Sequence, residues 1–160
     1  MEICFKPIDV DKDFGHCIEF RRDSFYCSFH TYEGYEESIT HYKTRVCQRI
    51  QEEQWHYFHI WDEALLIGQL EFRSFSELPN TGYVHLVYVI PAYRGEGIAD
   101  LAQKFILDTL ISQGCDQAML SVSRTNRRAV KHYKKHGWSY LQPNPKHDVT
   151  DFYIRKLQSH

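Results

Sequence analysis

The 160-residue chain carries 19 basic and 21 acidic side chains, a net charge of −2 with histidine neutral, and 42% hydrophobic residues; this predicts one domain, residues 1–160, with its own core, and argues against nucleic-acid binding by the chain as a whole. Five dispersed cysteines without a CxxC and ten scattered histidines without an HExxH point away from a disulfide framework and from a metal site. No run approaches 18 apolar residues and the first residues lack a leader pattern, so no membrane span and a cytoplasmic location are expected.

A short strand from Glu2 to Ile8 leads to Asp11-Lys-Asp13, which can cap a helix running to about Phe29. A second helical stretch is expected from about Glu33 to Glu53, with apolar residues too sparse to fill a core. This half is rich in rings: Phe14, Phe20, Phe25, Tyr26, Phe29, Tyr32, Tyr35 and Tyr42, with Asp23, Glu33, Glu36 and Glu37 among them. Aromatic walls with a few polar groups suit a small-ligand site, and these carboxylates would favour a cationic amine; the same rings would also serve simply to pack on a sheet. Next, Trp55-His-Tyr-Phe-His-Ile-Trp61, a turn at Asp62-Glu63, and residues 64–72 read as a β-hairpin. The apolar, β-branched run from Tyr83 to Ile90, closed by Pro91, reads as the central strand. From 97 to 112, Ile98, Leu101, Ala102, Phe105 and Ile106 recur at helical spacing, and Gly114 is the stop. A buried strand over 117–122, a helix over 126–136, and strands at 138–141 and 152–157 complete a β-α-α-β-β-β-α-β-α-β-β order. The class is mixed α/β (α+β).

Between the central strand and its following helix stands Arg94-Gly-Glu-Gly-Ile-Ala99. Glycines here allow a positive φ and remove the Cβ that would block a ligand. Free N–H groups at the helix start then form an anion site. No Lys follows Gly97, which excludes a Walker loop, and Asp100 rather than Gly follows at the third dinucleotide position. Downstream, Asn126-Arg-Arg-Ala129-Val-Lys-His-Tyr133-Lys-Lys-His-Gly137-Trp138 places Asn126, Ala129, Val130 and Tyr133 on one helix face and Arg127, Arg128, Lys131, Lys134 and Lys135 on the other.

The loop Arg-x-x-Gly-x-Ala and the later Asn-x-x-Ala-x-x-x-Tyr-x-x-x-Gly-Trp together resemble the two motifs of the GNAT superfamily of acyl-CoA-dependent N-acyltransferases, over roughly residues 56–157. The resemblance implies a central mixed sheet splayed at the CoA site and flanked by about four helices. It also implies acetyl-CoA as co-substrate, held by Tyr88, Val89, Ile90, Arg94, Gly95, Glu96, Gly97, Ile98, Ala99, Asp100, Asn126 and Tyr133. It places the oxyanion-binding N–H at Val89 and the proton donor to the leaving thiolate at Tyr133. The implied reaction is direct acetyl transfer within a ternary complex to a primary amine of a small molecule or peptide, and a homodimer is compatible with it. A non-catalytic acyl-CoA-binding module is the alternative; an RNA- or partner-binding role for the basic helix is a further one. For the base, His85 is the first candidate, because two-residue alternation puts it on the face of Val87 and Val89 and imidazole titrates near neutrality. Glu71 and water are the others, with a solvated carboxylate the more ordinary role for Glu71.

Overall fold

A computed structural model describes residues 1–158. Strand β1 (Ile3–Pro7) leads into helix α1 (Val10–Phe29). The cap of α1 is Asp9, whose carboxylate accepts the Lys12 amide at 3.1 Å, so the helix starts ahead of the expected Asp11–Asp13 signal. The single helix expected over 33–53 is two: α2 (Tyr35–Ser38) and α3 (Tyr42–Ile50). Side-chain competition accounts for the break. Ser38 Oγ donates to the Tyr35 carbonyl at 2.5 Å and Thr40 Oγ1 to the Glu36 carbonyl at 3.2 Å, giving the backbone an alternative to continued helix.

Strands β2 (Trp55–Asp62), β3 (Leu65–Arg73) and β4 (Thr81–Val89) follow as an antiparallel meander, then α4 (Ile98–Ser112), β5 (Gln117–Ser123), α5 (Arg127–Lys135), β6 (Ser139–Pro143) and β7 (Thr150–Lys156). They build a seven-stranded mixed sheet in the order β1-β2-β3-β4-β5-β7-β6, in which only β4 and β5 pair in parallel. On one face Ile98, Ala102, Ile106 and Leu110 of α4 cover Ile60, Leu70, Phe72, Val84 and Leu120, with Tyr133 of α5 packed alongside. On the other, α1 and α3 cover Tyr57 and Trp55 with Cys17, Tyr42 and Val46, and Phe20 covers Leu66, Leu86 and Tyr88. No helix among the described residues is long and apolar enough to cross a membrane.

Two irregularities in β4 shape everything that follows. Its pairing with β5 runs only from Thr81↔Gln117 to Val84↔Leu120, although β4 continues to Val89 and β5 to Ser123, so the sheet splays. In the pairing with β3, Leu86 faces Glu71 and Val84 faces Phe72, which leaves His85 opposite no residue: a β-bulge. The extra residue resets the alternation. His85 lies against Trp55 and Tyr83, and Leu86 joins the Phe20 cluster, whereas Val87 and Val89 pack on the α4 side. The expected common face of His85, Val87 and Val89 is therefore wrong, because simple period-two counting does not survive a bulge.

Candidate active site

The splay leaves backbone groups of β4 without a strand partner. Ile90 N–H donates to the Ile67 carbonyl on β3 at 2.8 Å. Successive amides point to opposite edges, so Val89 N–H points away from β3, into the gap. Its carbonyl, on the same edge, accepts from Arg94 Nε at 2.9 Å. Arg94 thus caps the orphan acceptor and leaves the donor open. The rest of Arg94 also faces the protein: Nη2 pairs with Asp23 Oδ2 at 2.9 Å, and the same oxygen accepts the Tyr88 hydroxyl at 2.5 Å. Burial, then the Asp23 carboxylate, raises the Tyr88 phenol well above its usual range. The side chains of Tyr88 and Arg94 therefore anchor β4 to α1, and what they offer a cofactor is backbone.

At the loop, Gly95 and Gly97 have φ of +81° and +84°, and a Cβ at Gly97 would meet nothing within 4 Å. Both glycines stand in the left-handed region that other residues avoid. Glu96 is exposed, Ile98 is 1% exposed with its side chain in the core, and Ala99 is half-buried. Only the amides of this stretch can cradle an anion. The Arg128 guanidinium of α5 stands beside Gly95, 3.9 Å from where its Cβ would be, and brings one member of the basic stripe to the cradle. Asp100 accepts from His136 Nε2 at 2.8 Å, with His132 Nδ1 at 3.9 Å. The three offer the donor types of a divalent-metal site, their ligand atoms within 4.8 Å of one another. Sequence spacing did not reveal them, since Asp100 is remote from the helical His132/His136 pair.

Beneath the splay lies a cleft of about 990 Å³, at the upper end of the size range of small-molecule sites. His85, Val87, Ser123, Asn126, Ala129 and Tyr133 line it together, with the 146–150 segment and parts of α1–α3 as further walls. Tyr88 and Val89, at the splayed end of β4, and Ile90, Arg94 and residues 95–100, which follow the strand, do not border it. Asn126 Oδ1 caps α5 by accepting the Ala129 amide at 3.3 Å, so its amide nitrogen is the group left for a ligand. Burial alone pushes the Tyr133 phenol up to about 12, and its ring rests edge-on against Trp138 with centroids 5.8 Å apart.

The two base candidates are placed differently from expectation. Burial, followed by the charges of Arg73, Arg21, Arg49 and Arg45, pulls the His85 imidazole down to about 3. It is neutral at pH 7 but not poised to titrate there. Glu71 is not solvated at all: it is 1% exposed and accepts from Arg21 Nη2, the Tyr42 hydroxyl at 2.6 Å and Gln69 Nε2 at 2.7 Å. That buried network, continued through Gln69 Oε1 to His59 at 2.9 Å, tethers α1 and α3 to the sheet and was invisible to sequence reading.

Residues 17–138 match the model of the acetyltransferase (GNAT) family. Over 52 residues, 32% of this chain, the sequence is 38% identical to the thialysine N-epsilon-acetyltransferase of Mus musculus, and the matched stretch spans 31% of that relative. The Bos taurus counterpart is 38% identical over 55 residues, 32% of its length. In fold the chain is similar to the PaiA N-acetyltransferase of Thermoplasma acidophilum in complex with coenzyme A, with a TM-score of 0.81, 19% identity, and coverage of 98% of this chain and 99% of that one. It is likewise similar to a GNAT-family acetyltransferase of Staphylococcus aureus, with a TM-score of 0.78, 14% identity, and coverage of 98% and 100%.

Proposed function

The chain belongs to the GNAT acetyltransferase family, and we propose that it transfers an acetyl group from acetyl-CoA to a primary amine of a small molecule or peptide by direct attack within a ternary complex. The observation that carries this reading is the parting of β4 from β5 after Val84↔Leu120, above a cleft that Tyr133 lines. The pyrophosphate of acetyl-CoA would lie on the amides of residues 95–100, with Arg128 adding charge. The pantetheine would follow the free edge of β4.

The neutral amine attacks the thioester carbon. The carbonyl oxygen gains negative charge as the tetrahedral species forms, and Val89 N–H, lacking a strand partner, donates to it; such a donor acts most strongly on the developing oxyanion. Collapse forms the amide bond and breaks the C–S bond, and the thiolate takes the proton of the Tyr133 hydroxyl. A phenol at about 12 does not readily give its proton to a hydrated thiolate with a reference value of about 8.5. The transfer is favourable only because the thiolate appears in the same water-poor surroundings, where burial raises its proton affinity too. With His85 held neutral and Glu71 engaged, the proton lost by the amine passes to water in the cleft, which is also the source from which Tyr133 is reprotonated.

Release of free thiol from acetyl-CoA, measured against a panel of amines, polyamines, amino acids and peptides, tests the reading. Amine-dependent release is expected. Binding of acetyl-CoA without release for any acceptor would leave the chain as an acyl-CoA-binding module.

A further inference from the structure

We propose that the amine acceptor carries its own carboxylate, and that Arg45 and His85 on the cleft wall bind that group, with Arg49 and Arg73, outside the cleft lining, adding positive charge. The proposal rests on the reading of the chain as an amine acetyltransferase and adds the substrate class. Arg21 is neutralised by Glu71. Arg45, Arg49 and Arg73, by contrast, have no carboxylate within ion-pair distance among the described residues. They lie over aromatic rings instead, and Arg49 Nη1 also donates to the Tyr57 hydroxyl at 3.4 Å. The Arg49 guanidinium lies 3.9 Å from the Trp55 ring centre, Arg73 lies 5.3 Å from the same ring and 5.9 Å from that of Tyr83, and His85 stands 5.1 Å from Trp55. Arg45, over Tyr42 at 5.8 Å, borders the cleft together with His85.

Three half-buried cations lie over the neighbouring rings of Tyr42 and Trp55 with no carboxylate partner, and His85 Nε2 on the cleft wall and Arg73 Nε outside it are buried with no hydrogen-bond partner. Both conditions are unfavourable in a folded protein. An oxyanion in the cleft accepts from the Arg45 guanidinium, whose planar fork matches a carboxylate, and from His85 Nε2, and supplies the missing negative charge. The phosphates of CoA are not that anion. The cluster lies on the sheet face carrying α1 and α3, whereas the cradle leads into α4 on the opposite face. From His85 to Val89 alone, four residues of strand span roughly 13 Å, and the cradle lies farther on. Glu33 and Glu37 also border the cleft, so its lining offers opposite charges to the two ends of a zwitterion, as in an amino acid or the C-terminal residue of a peptide.

The test compares matched acceptors by kcat/KM at saturating acetyl-CoA: lysine against 1,5-diaminopentane, which lacks only the carboxylate, and O-phosphoethanolamine against ethanolamine. Lysine is expected to exceed the diamine by at least tenfold. Arg45→Gln should collapse that ratio toward one and Arg73→Gln should lower it, both through KM for lysine rather than kcat, and Arg45→Lys should retain part of it. Circular dichroism confirms that each variant is folded; should Arg73→Gln fail to fold, Arg45→Gln, at the cleft wall, decides. Calorimetry of lysine with the CoA-loaded protein reads the same contact without turnover. A protein that acetylates no amine, yet binds lysine in an Arg45-dependent way, would refute the proposed activity and uphold the anion site. Equal kcat/KM for lysine and the diamine, no binding of lysine to the CoA-loaded protein, or a preference for the phosphate member alone would overturn the carboxylate assignment.

Discussion

Replacing His85 by Gln should remove a large part of the acid sensitivity of the fold. The imidazole falls from 6.5 to about 3 on folding because it is buried and faces arginines, so the folded state resists its protonation. Between those two values the unfolded chain binds a proton that the native protein does not. Stability from this group is therefore complete above pH 6.5 and is lost progressively as pH falls toward 3. At about 1.4 kcal/mol per unit, acidification from pH 7.5 to 4.5 removes about 3 kcal/mol through His85. Urea unfolding at pH 7.5 and 4.5, for wild type and His85→Gln, reads this directly. His56, His59 and His132 are also shifted down by burial and contribute to the acid loss in both proteins, so the informative quantity is the change in the gap between the two. That gap should move by about 3 kcal/mol in favour of the variant on acidification. A gap that stays constant would refute the picture of a neutral imidazole among cations. The same reasoning predicts no His85-dependent limb near pH 6.5 in the kcat/KM profile, contrary to what a histidine read as a neutral-pH base implies.

Tyr133→Phe keeps the contact with Trp138 and removes only the hydroxyl, so the melting temperature should barely change while kcat falls by about 10²–10⁴; full activity in stopped thiol-release assays would reduce Tyr133 to a packing residue. Gly97→Val forces a branched side chain into a left-handed backbone where nothing crowds its Cβ, so the fold should persist by circular dichroism while calorimetric CoA affinity drops at least tenfold, about 1.4 kcal/mol; unchanged affinity would remove the loop from the cofactor site. Glu71→Ala leaves Arg21 without its carboxylate and strips an acceptor from Tyr42 and Gln69, so urea unfolding should show a loss of about 3–5 kcal/mol; a loss under 1 kcal/mol would mean that the network relaxes onto water.

Much of the architecture was legible because it rests on local signals. The run from Tyr83 to Ile90, the glycines at 95 and 97, and the Asn126–Gly137 helix each announce themselves within a dozen residues, and each lies where its pattern puts it. The splay, expected from the family resemblance, is present as the early end of β4–β5 pairing. What stayed hidden depends on register or on contacts across long stretches of chain. The bulge at His85 has no composition of its own, yet it moves the ring to the opposite face from Val87. Glu71 read as an ordinary strand carboxylate because its partners, Arg21 and Tyr42, lie 50 and 29 residues away. The 33–53 stretch had enough helical residues to look continuous, and only hydroxyl-to-carbonyl bonds at Ser38 and Thr40 reveal the interruption.

The bulge also explains why the two halves of the site can serve different ligands. Before it, β4 shows Tyr83 to the cleft on the face where arginines gather; after it, Leu86 and Tyr88 bind the strand to α1, and Val87 and Val89 face the core beneath α4. Past Val84 it is the edge of β4, without a β5 partner, that meets the gap. An extended cofactor chain can then bond to that edge while an acceptor reaches the same gap from the arginine side. The Arg94–Val89 bond ends the open edge where the cradle begins. Deletion of His85 would restore regular alternation with Tyr83 and Val84 still on their present faces, and would remove only the ring that β4 presents to the cleft beside the arginines. Such a variant should keep its affinity for CoA, because the open edge of β4 is unchanged, and should bind the acceptor more weakly, because the cleft wall loses His85; an unchanged KM for the acceptor would refute a part for that ring.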